Sequence, residues 1–249
     1  MERRSSPLAA AALTAFLIAV GLTAGGYLIG QGFYRARSER YVTVKGLVER
    51  DVSADLAVWT ISYTASGPDL NQAGAALERE RQIVAAFAQR HGFAPDEIEQ
   101  QPTTVTDTFT SQFGNRPPDA SQRYVIKSGI RIRSTKVKAV KAASEDTIAL
   151  VNQGVVLGEN YPQAPQYFFT KLNDIRPAML AQATRSARAV AEQFAADSHS
   201  RLGPIRRANQ GVFVITGRDS SDDNASGGDA SSIEKKVRLV STIDYYLIN

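Results

Sequence analysis

The chain has no cysteine among its 249 residues. Disulfides, thiolate metal sites and cysteine nucleophiles are therefore excluded, and a chain without thiols suits an oxidising compartment, where stray ones mispair. Histidine is scarce too. His91 and His199 stand 108 positions apart, each near the end of an expected helix, where the dipole favours such a side chain without further role. Packed side by side, those helices would bring together half of a metal site. No serine lies in Gly-x-Ser-x-Gly, no glycine-rich loop precedes a helix, and His-Glu-x-x-His does not occur. No catalytic residue, cofactor or metal ligand is assigned from the sequence. Charge of one sign is nearly balanced as well. With 29 basic and 25 acidic side chains, the net charge of +4 is spread along the chain and gives no argument for a nucleic-acid partner.

From Leu8 to Ile29 charge is missing altogether. A helix of that length covers about 33 Å, enough for a hydrocarbon core of about 30 Å. The expectation is a short cytoplasmic N-terminus at 1–7, an uncleaved transmembrane signal-anchor at 8–30, a polar tether at 31–40 and an exported domain at 41–249. A cleavable signal peptide is the competing reading, although Leu22-Thr23-Ala24 makes a poor cleavage site. Arg3 and Arg4 face Arg35, Arg37 and Arg40 across the segment, so flanking charge does not set the orientation; the short N-terminal stub favours an exported C-terminus. Gly21 and Gly25, then Gly26 and Gly30, sit one turn apart, a spacing that lets two membrane helices approach closely.

The rest of the chain reads as short strands and amphipathic helices. Strands are expected at Tyr41–Val48 and Asp55–Ala65, the second with Trp59, Ile61 and Tyr63 on one face. Asp69, with Gln72 three residues on, starts a helix that buries Ala73, Leu77, Val84, Phe87 and Ala88, leaves Glu78, Arg79, Glu80 and Arg81 in solvent, and stops at Gly92. A Thr-rich strand at Ile98–Phe109 leads through a Pro-Gly loop to Tyr124–Arg133. There apolar Tyr124, Ile126, Ile130 and Ile132 alternate with basic Arg123, Lys127, Arg131 and Arg133. Ser134 caps a helix to about Asn152, stopped by Gly154; Gln166–Leu172 is a further strand. A long helix from about Ile175 to Arg201 has Asn173 or Asp174 as its cap and Pro177 in its first turn. It buries Met179, Ala183, Ala187, Val190, Phe194 and Ala195. Strands at Arg206–Thr216 and Lys236–Ile248 flank a loop, Gly217–Ser232, expected to be mobile. The order ββα-ββα-βα-ββ predicts an α+β fold, mostly antiparallel, with helices on one face of the sheet.

Two local patterns resemble the SIMPL-domain family of bacterial envelope and periplasmic proteins. Val44-Lys45-Gly46 followed by Ala54-Asp55-Leu56-Ala57-Val58 is similar to the family's opening strand and its Pro-Asp-x-Ala step. Gly46, Asp55 and Ala57 match, while Ala54 stands where proline is usual and Leu47 where a second glycine is common. The Ala-rich run Ala178–Ala196 followed by Leu202-Gly203-Pro204-Ile205 is similar to the family's late helix and its link to the final strands. The resemblance spans about 41–249. It implies an exported, non-enzymatic module of the inner-membrane and periplasmic envelope that often self-assembles, in some members in connection with stress, and it brings no catalytic residues.

The expected function is therefore self-assembly or protein-protein interaction by a membrane-anchored module, most simply as a homo-oligomer. Arg123, Lys127, Arg131 and Arg133 offer a surface for an anionic envelope component or an acidic partner. The alternatives are an envelope hydrolase using carboxylates or the two histidines, and a small-molecule or lipid-binding protein with Trp59, Tyr63 and Phe87 lining its pocket. Asp219, Asp222, Asp223, Asn224 and Asp229 lack the spacing of a calcium loop and read as a solvated acidic linker.

Overall fold

Burial alternates residue by residue along the second strand, with Ala57, Trp59, Ile61, Tyr63 and Ala65 inward, as its period-two pattern requires. The computed structural model describes residues 16–28, 30, 40–110, 120–158, 164–220 and 230–248. After a helical segment at 16–28 the elements run β1 (Tyr41–Ser53), β2 (Leu56–Gly67), α1 (Leu70–Arg90), β3 (Ile98–Gln100), β4 (Thr104–Asp107), β5 (Tyr124–Ser134), α2 (Val137–Glu145), α3 (Ile148–Val151), β6 (Gln166–Phe168), α4 (Leu172–Asp197), β7 (Arg201–Gly217) and β8 (Glu234–Ile248). The fold is α+β, with a three-stranded sheet in the order β1-β8-β7 and a five-stranded one in the order β3-β5-β2-β6, where β4 also pairs with β5. All four registered pairings of the larger sheet are antiparallel.

The chain divides into two compact units. One comprises Val48–Ala181 and Val212–Leu239. Its core forms where α1 packs on β2 and β5, burying Trp59, Ile61, Tyr63, Val84, Phe87, Ile130 and Ile132. Asp69 caps α1 by accepting the Gln72 N–H at 2.9 Å, and Gly92 ends it in the left-handed conformation, with φ +82°. The other unit comprises Met1–Leu47, Gln182–Gly211 and Val240–Asn249. There Val44, Ala187, Ala191, Ile243 and Tyr245 form a small core with Val42 and Leu202 packed against it.

Several expectations need correction. The Thr-rich stretch is two short strands, broken around Pro102, whose missing N–H cannot join a ladder. Ser134 ends β5 instead of capping a helix, and the helix after it breaks at Asp146-Thr147 into α2 and α3. The long helix starts at Leu172, which takes Asn173 and Asp174 into its first turn and leaves Pro177 inside the helix. Its inward stripe repeats every fourth residue, Met179, Ala183, Ala187, Ala191 and Ala195, so Val190 and Phe194 lie outside at 40% and 53% exposure. Among the described residues no helix is long and apolar enough to cross a membrane; the rest of the expected span, 8–15 and 29, lies outside them. Residues 221–229 of the expected mobile loop also lie outside the described residues.

Candidate interaction surfaces

β5 carries the basic residues that the sequence singled out. Ile126, Ile130 and Ile132 are buried, so Lys127, Arg131 and Arg133 project from the opposite face of the sheet, with Arg123 just before the strand. The register sets Lys127 between Thr64 and Thr104, Arg131 between Thr60 and Glu99, and Arg133 beside Val58. The stripe is not one of bare positive charge. The Arg123 guanidinium bonds Asp107 at 3.0 Å and lies over the rings of Phe109 and Tyr124, and its hydrogen bonds hold the Asp107 carboxyl below the usual range. Arg131 meets Glu99 across the strands at 3.7 Å.

Arg133 reaches a cleft of about 930 Å³, which it shares with Lys136, Lys171, Asp55, Asp96 and Glu97. Most of these charges are already engaged with the protein. Asp55 accepts the Thr170 N–H at 2.7 Å and the Thr170 hydroxyl at 3.0 Å, fixing the approach to α4. Glu97 accepts the Ser134 hydroxyl, the Ala94 N–H at 2.9 Å and the Lys136 ammonium at 2.9 Å. Those bonds, Ser134 first and Ala94 next, pull the Glu97 carboxyl down to about 2. Ser134 is itself buried and accepts the Lys136 N–H at 3.0 Å, so one hydroxyl ties the end of β5 to the loop before β3. Ser134→Ala is expected to cost about 2 kcal/mol at pH 7, because a part-buried hydrogen bond to a carboxylate and a backbone partner go together. The folded-state pKa of Glu97 lies below the unfolded one. Its contribution is therefore present above the ordinary carboxylate range and lost as pH falls through about 2. Denaturant titration at pH 7 and pH 2 should show the penalty shrinking with acid; an equal penalty at both would dissociate Ser134 from Glu97.

Among the described residues β7 is the longest strand and an edge of its sheet, with β8 as its one neighbour in the order. From Pro204 to Gln210 every residue is exposed, and Val212, at 81%, and Val214 present apolar side chains beyond them. An edge strand of this length displays a row of backbone donors and acceptors and is a template for another strand. Pro204, which lacks an N–H, is tolerated in such a position.

The two histidines have unlike surroundings. His91 faces Asp146 at 3.2 Å and tilts against the Phe87 ring, while His199 ends α4 with a φ of 52°. Among the described residues no group of three or more His, Asp or Glu side chains is placed to hold a metal. Trp59, Tyr63 and Phe87 are wholly buried core residues; of the three, Tyr63 also borders a cleft of about 290 Å³, beside Gln101 and Lys127 and without Trp59 or Phe87. Asp219 pairs with Arg218 at 3.4 Å, while Asp222, Asp223, Asn224 and Asp229 lie outside the described residues. A Cβ added at Gly21, Gly25, Gly26 or Gly30 would meet nothing within 4 Å. Sequence reasoning missed Asp244, a buried carboxylate on β8 that accepts the Thr43 hydroxyl at 2.8 Å and bonds Arg207 at 3.3 Å. The signal was there: between Ile243 and Tyr245, alternation turns an acidic side chain onto the opposite face of the strand from two core residues.

A protein-family model named SIMPL, described as a protein of unknown function (DUF541), matches residues 42–242. No curated protein matches the chain. Among solved structures, the crystal structure of a hydrolase from Listeria innocua aligns over 77% of this chain and 90% of that one, at 12% identity and a TM-score of 0.21. At that score the likeness carries no argument about fold or chemistry.

Proposed function

Because this chain belongs to the SIMPL family, we propose that it is a membrane-anchored module of the cell envelope that works by self-association and performs no catalysis. The observation that carries the reading is β7. Its outer edge is long and exposed, and a strand from a second copy would satisfy its backbone groups while covering Val212 and Val214. β1 is the opposite edge of the same sheet, so an edge-to-edge contact can repeat from copy to copy. The anchor is supported by the helix at 16–28, whose Phe16, Leu17, Ile18, Leu22, Tyr27 and Leu28 are all exposed. A helix apolar on every side is stable when lipid or another helix surrounds it. Held in one membrane plane, copies would meet at a raised effective concentration.

The test is the mass of the full chain in mild detergent, by light scattering or mass photometry, for the natural sequence and a Val212→Lys/Val214→Lys variant. Charges on an edge strand oppose strand addition. The natural chain is expected as a defined oligomer and the double variant as a monomer with unchanged circular dichroism. A natural chain that stays monomeric at about 100 μM, well above the micromolar range of transient contacts, would remove the proposal.

A further inference from the structure

Asp244 is a buried carboxylate to which strand pairing at the sheet edges gives no role. Contacts between β1 and β8 follow an antiparallel register, Thr43 against Asp244 and Glu49 against Arg238, and β7 continues it with Gly211 closely against Val240 and Arg207 beside Asp244. Residues two apart on a strand share a face. Tyr41 and Thr43 from β1, Thr242 and Asp244 from β8, and Arg207 and Asn209 from β7 thus line one pocket of about 440 Å³. It opens on the face opposite Val44, Ile243 and Tyr245, which belong to the core.

The chemistry of the six side chains is specific. Asp244 is 5% exposed, and it is the buried centre of an otherwise accessible pocket. Its negative charge is matched by Arg207 at 3.3 Å, so the pair leaves no net charge to be neutralised by a ligand. A carboxylate offers about four acceptor positions, of which Thr43 and Arg207 take two. Arg207 is 78% exposed along its side chain and carries further N–H donors, and among the described residues the Asn209 amide and Thr242 hydroxyl have no side-chain partner. Tyr41 lines the same pocket, its ring held under the Arg206 guanidinium at 4.4 Å. Planar carboxylate, amide and guanidinium groups bond two neighbouring hydroxyls at once, and a phenol ring supplies an apolar contact with a polar tip. An anion would meet the buried carboxylate, and a hydrocarbon would leave all these polar groups unsatisfied.

We propose that the Asp244 pocket binds a neutral, polyhydroxylated ligand, namely a sugar unit, either free or within a glycan chain. Tyr41, Thr43, Arg207 and Asn209 are exposed, so a bound sugar unit keeps one side in solvent and the affinity should be weak.

Saturation-transfer difference NMR on the full chain in detergent tests this with four probes: N-acetylglucosamine, its β-1,4-linked tetramer, maltotetraose and glucuronate. Transfer to at least one neutral sugar is expected. Transfer to single sugars as well as tetramers identifies a site for one terminal unit, whereas transfer to a tetramer alone identifies a glycan chain. Asn209→Ala and Thr242→Val remove groups that hold nothing else in place, and each should weaken the signal at least fivefold while the thermal midpoint stays put. No transfer to any neutral sugar, transfer to glucuronate alone, or signals untouched by both variants would overturn the proposal. Because Arg207 and Asn209 lie on β7, each variant is compared with the natural chain at equal mass by light scattering, which separates loss of sugar binding from a change in association.

Discussion

Replacing Gly46 with alanine should destabilise the protein by about 3 kcal/mol or more and lower its thermal midpoint by roughly 6–12 °C. A Cβ at that position would overlap the carbonyl oxygen of Ala183 and press on the Ala187 methyl at 3.0 Å. Backbone of β1 and backbone of α4 meet there, so no rotamer change relieves the clash; helix or strand has to move. Ala183, Ala187 and Ala191 are small for the same reason, since larger side chains would hold the helix away from the strand. Leu47→Ala is the control: Leu47 is exposed and its truncation should change stability by less than about 0.5 kcal/mol. Paired thermal melts followed by circular dichroism decide the matter. A Gly46→Ala variant as stable as the control would mean that α4 rides more loosely on β1 than its close approach indicates.

Gly46 also shows what was legible in the sequence and what was not. As a residue of a family pattern it was visible, together with Asp55 and Ala57; that it admits a helix, that Asp55 grips Thr170, and that Ala57 is wholly buried are facts of packing. Ala54, standing where the family usually has proline, donates its N–H to the Ile233 carbonyl at 2.9 Å, a bond that proline could not make. Local periodicity served well wherever one face meets the core: Trp59, Ile61 and Tyr63 on β2, the inward side of α1, and its cap and stop at Asp69 and Gly92. It failed where small residues mark the buried side. On α4 the larger Val190 and Phe194 drew the stripe away from Ala191, because hydrophobicity weighs size and close approach selects against it. The basic residues of β5 were placed on the right face, but their partners Asp107 and Glu99 lie on other strands, and pairing of that kind leaves no trace in spacing. The same holds for the tie of Ser134 to Glu97 and for the pocket around Asp244, assembled from three strands.

Glu80 was misread for a different reason, and it yields the second large effect. Within the charged run Glu78-Arg79-Glu80-Arg81 it looked like one more solvated side chain. Yet Ala73, Leu77, Glu80, Val84 and Phe87 fall at alternating steps of four and three, which is the inward stripe of α1. The structure half-buries the carboxylate there, with its Oε2 enclosed and without a hydrogen-bond partner. Desolvation pushes its pKa up to about 7, against the smaller opposing pull of the Val156 N–H and the Arg79 charge. The buried Tyr63 phenol, Glu78 and Arg81 are the neighbouring titratable and charged groups, and the last two hold each other in an exposed pair. Since the folded-state value lies above the ordinary 4.5, the Glu80 contribution is fully present below that pH and is lost as pH rises toward about 7. Half of the carboxylate faces solvent, which screens it, so the effect is expected well below the full equivalent of that shift, at about 1–2 kcal/mol. Glu80→Gln keeps the shape and removes the titration. Relative to the natural chain the variant should gain nothing below pH 4.5, gain progressively between there and pH 7, and hold its advantage above. Urea denaturation at pH 4, 6 and 8 reads this directly, and because both proteins share every other titrating group, including Glu97, the difference isolates Glu80. A gain of the same size at all three pH values would show that Glu80 ionises as freely in the folded chain as in the unfolded one.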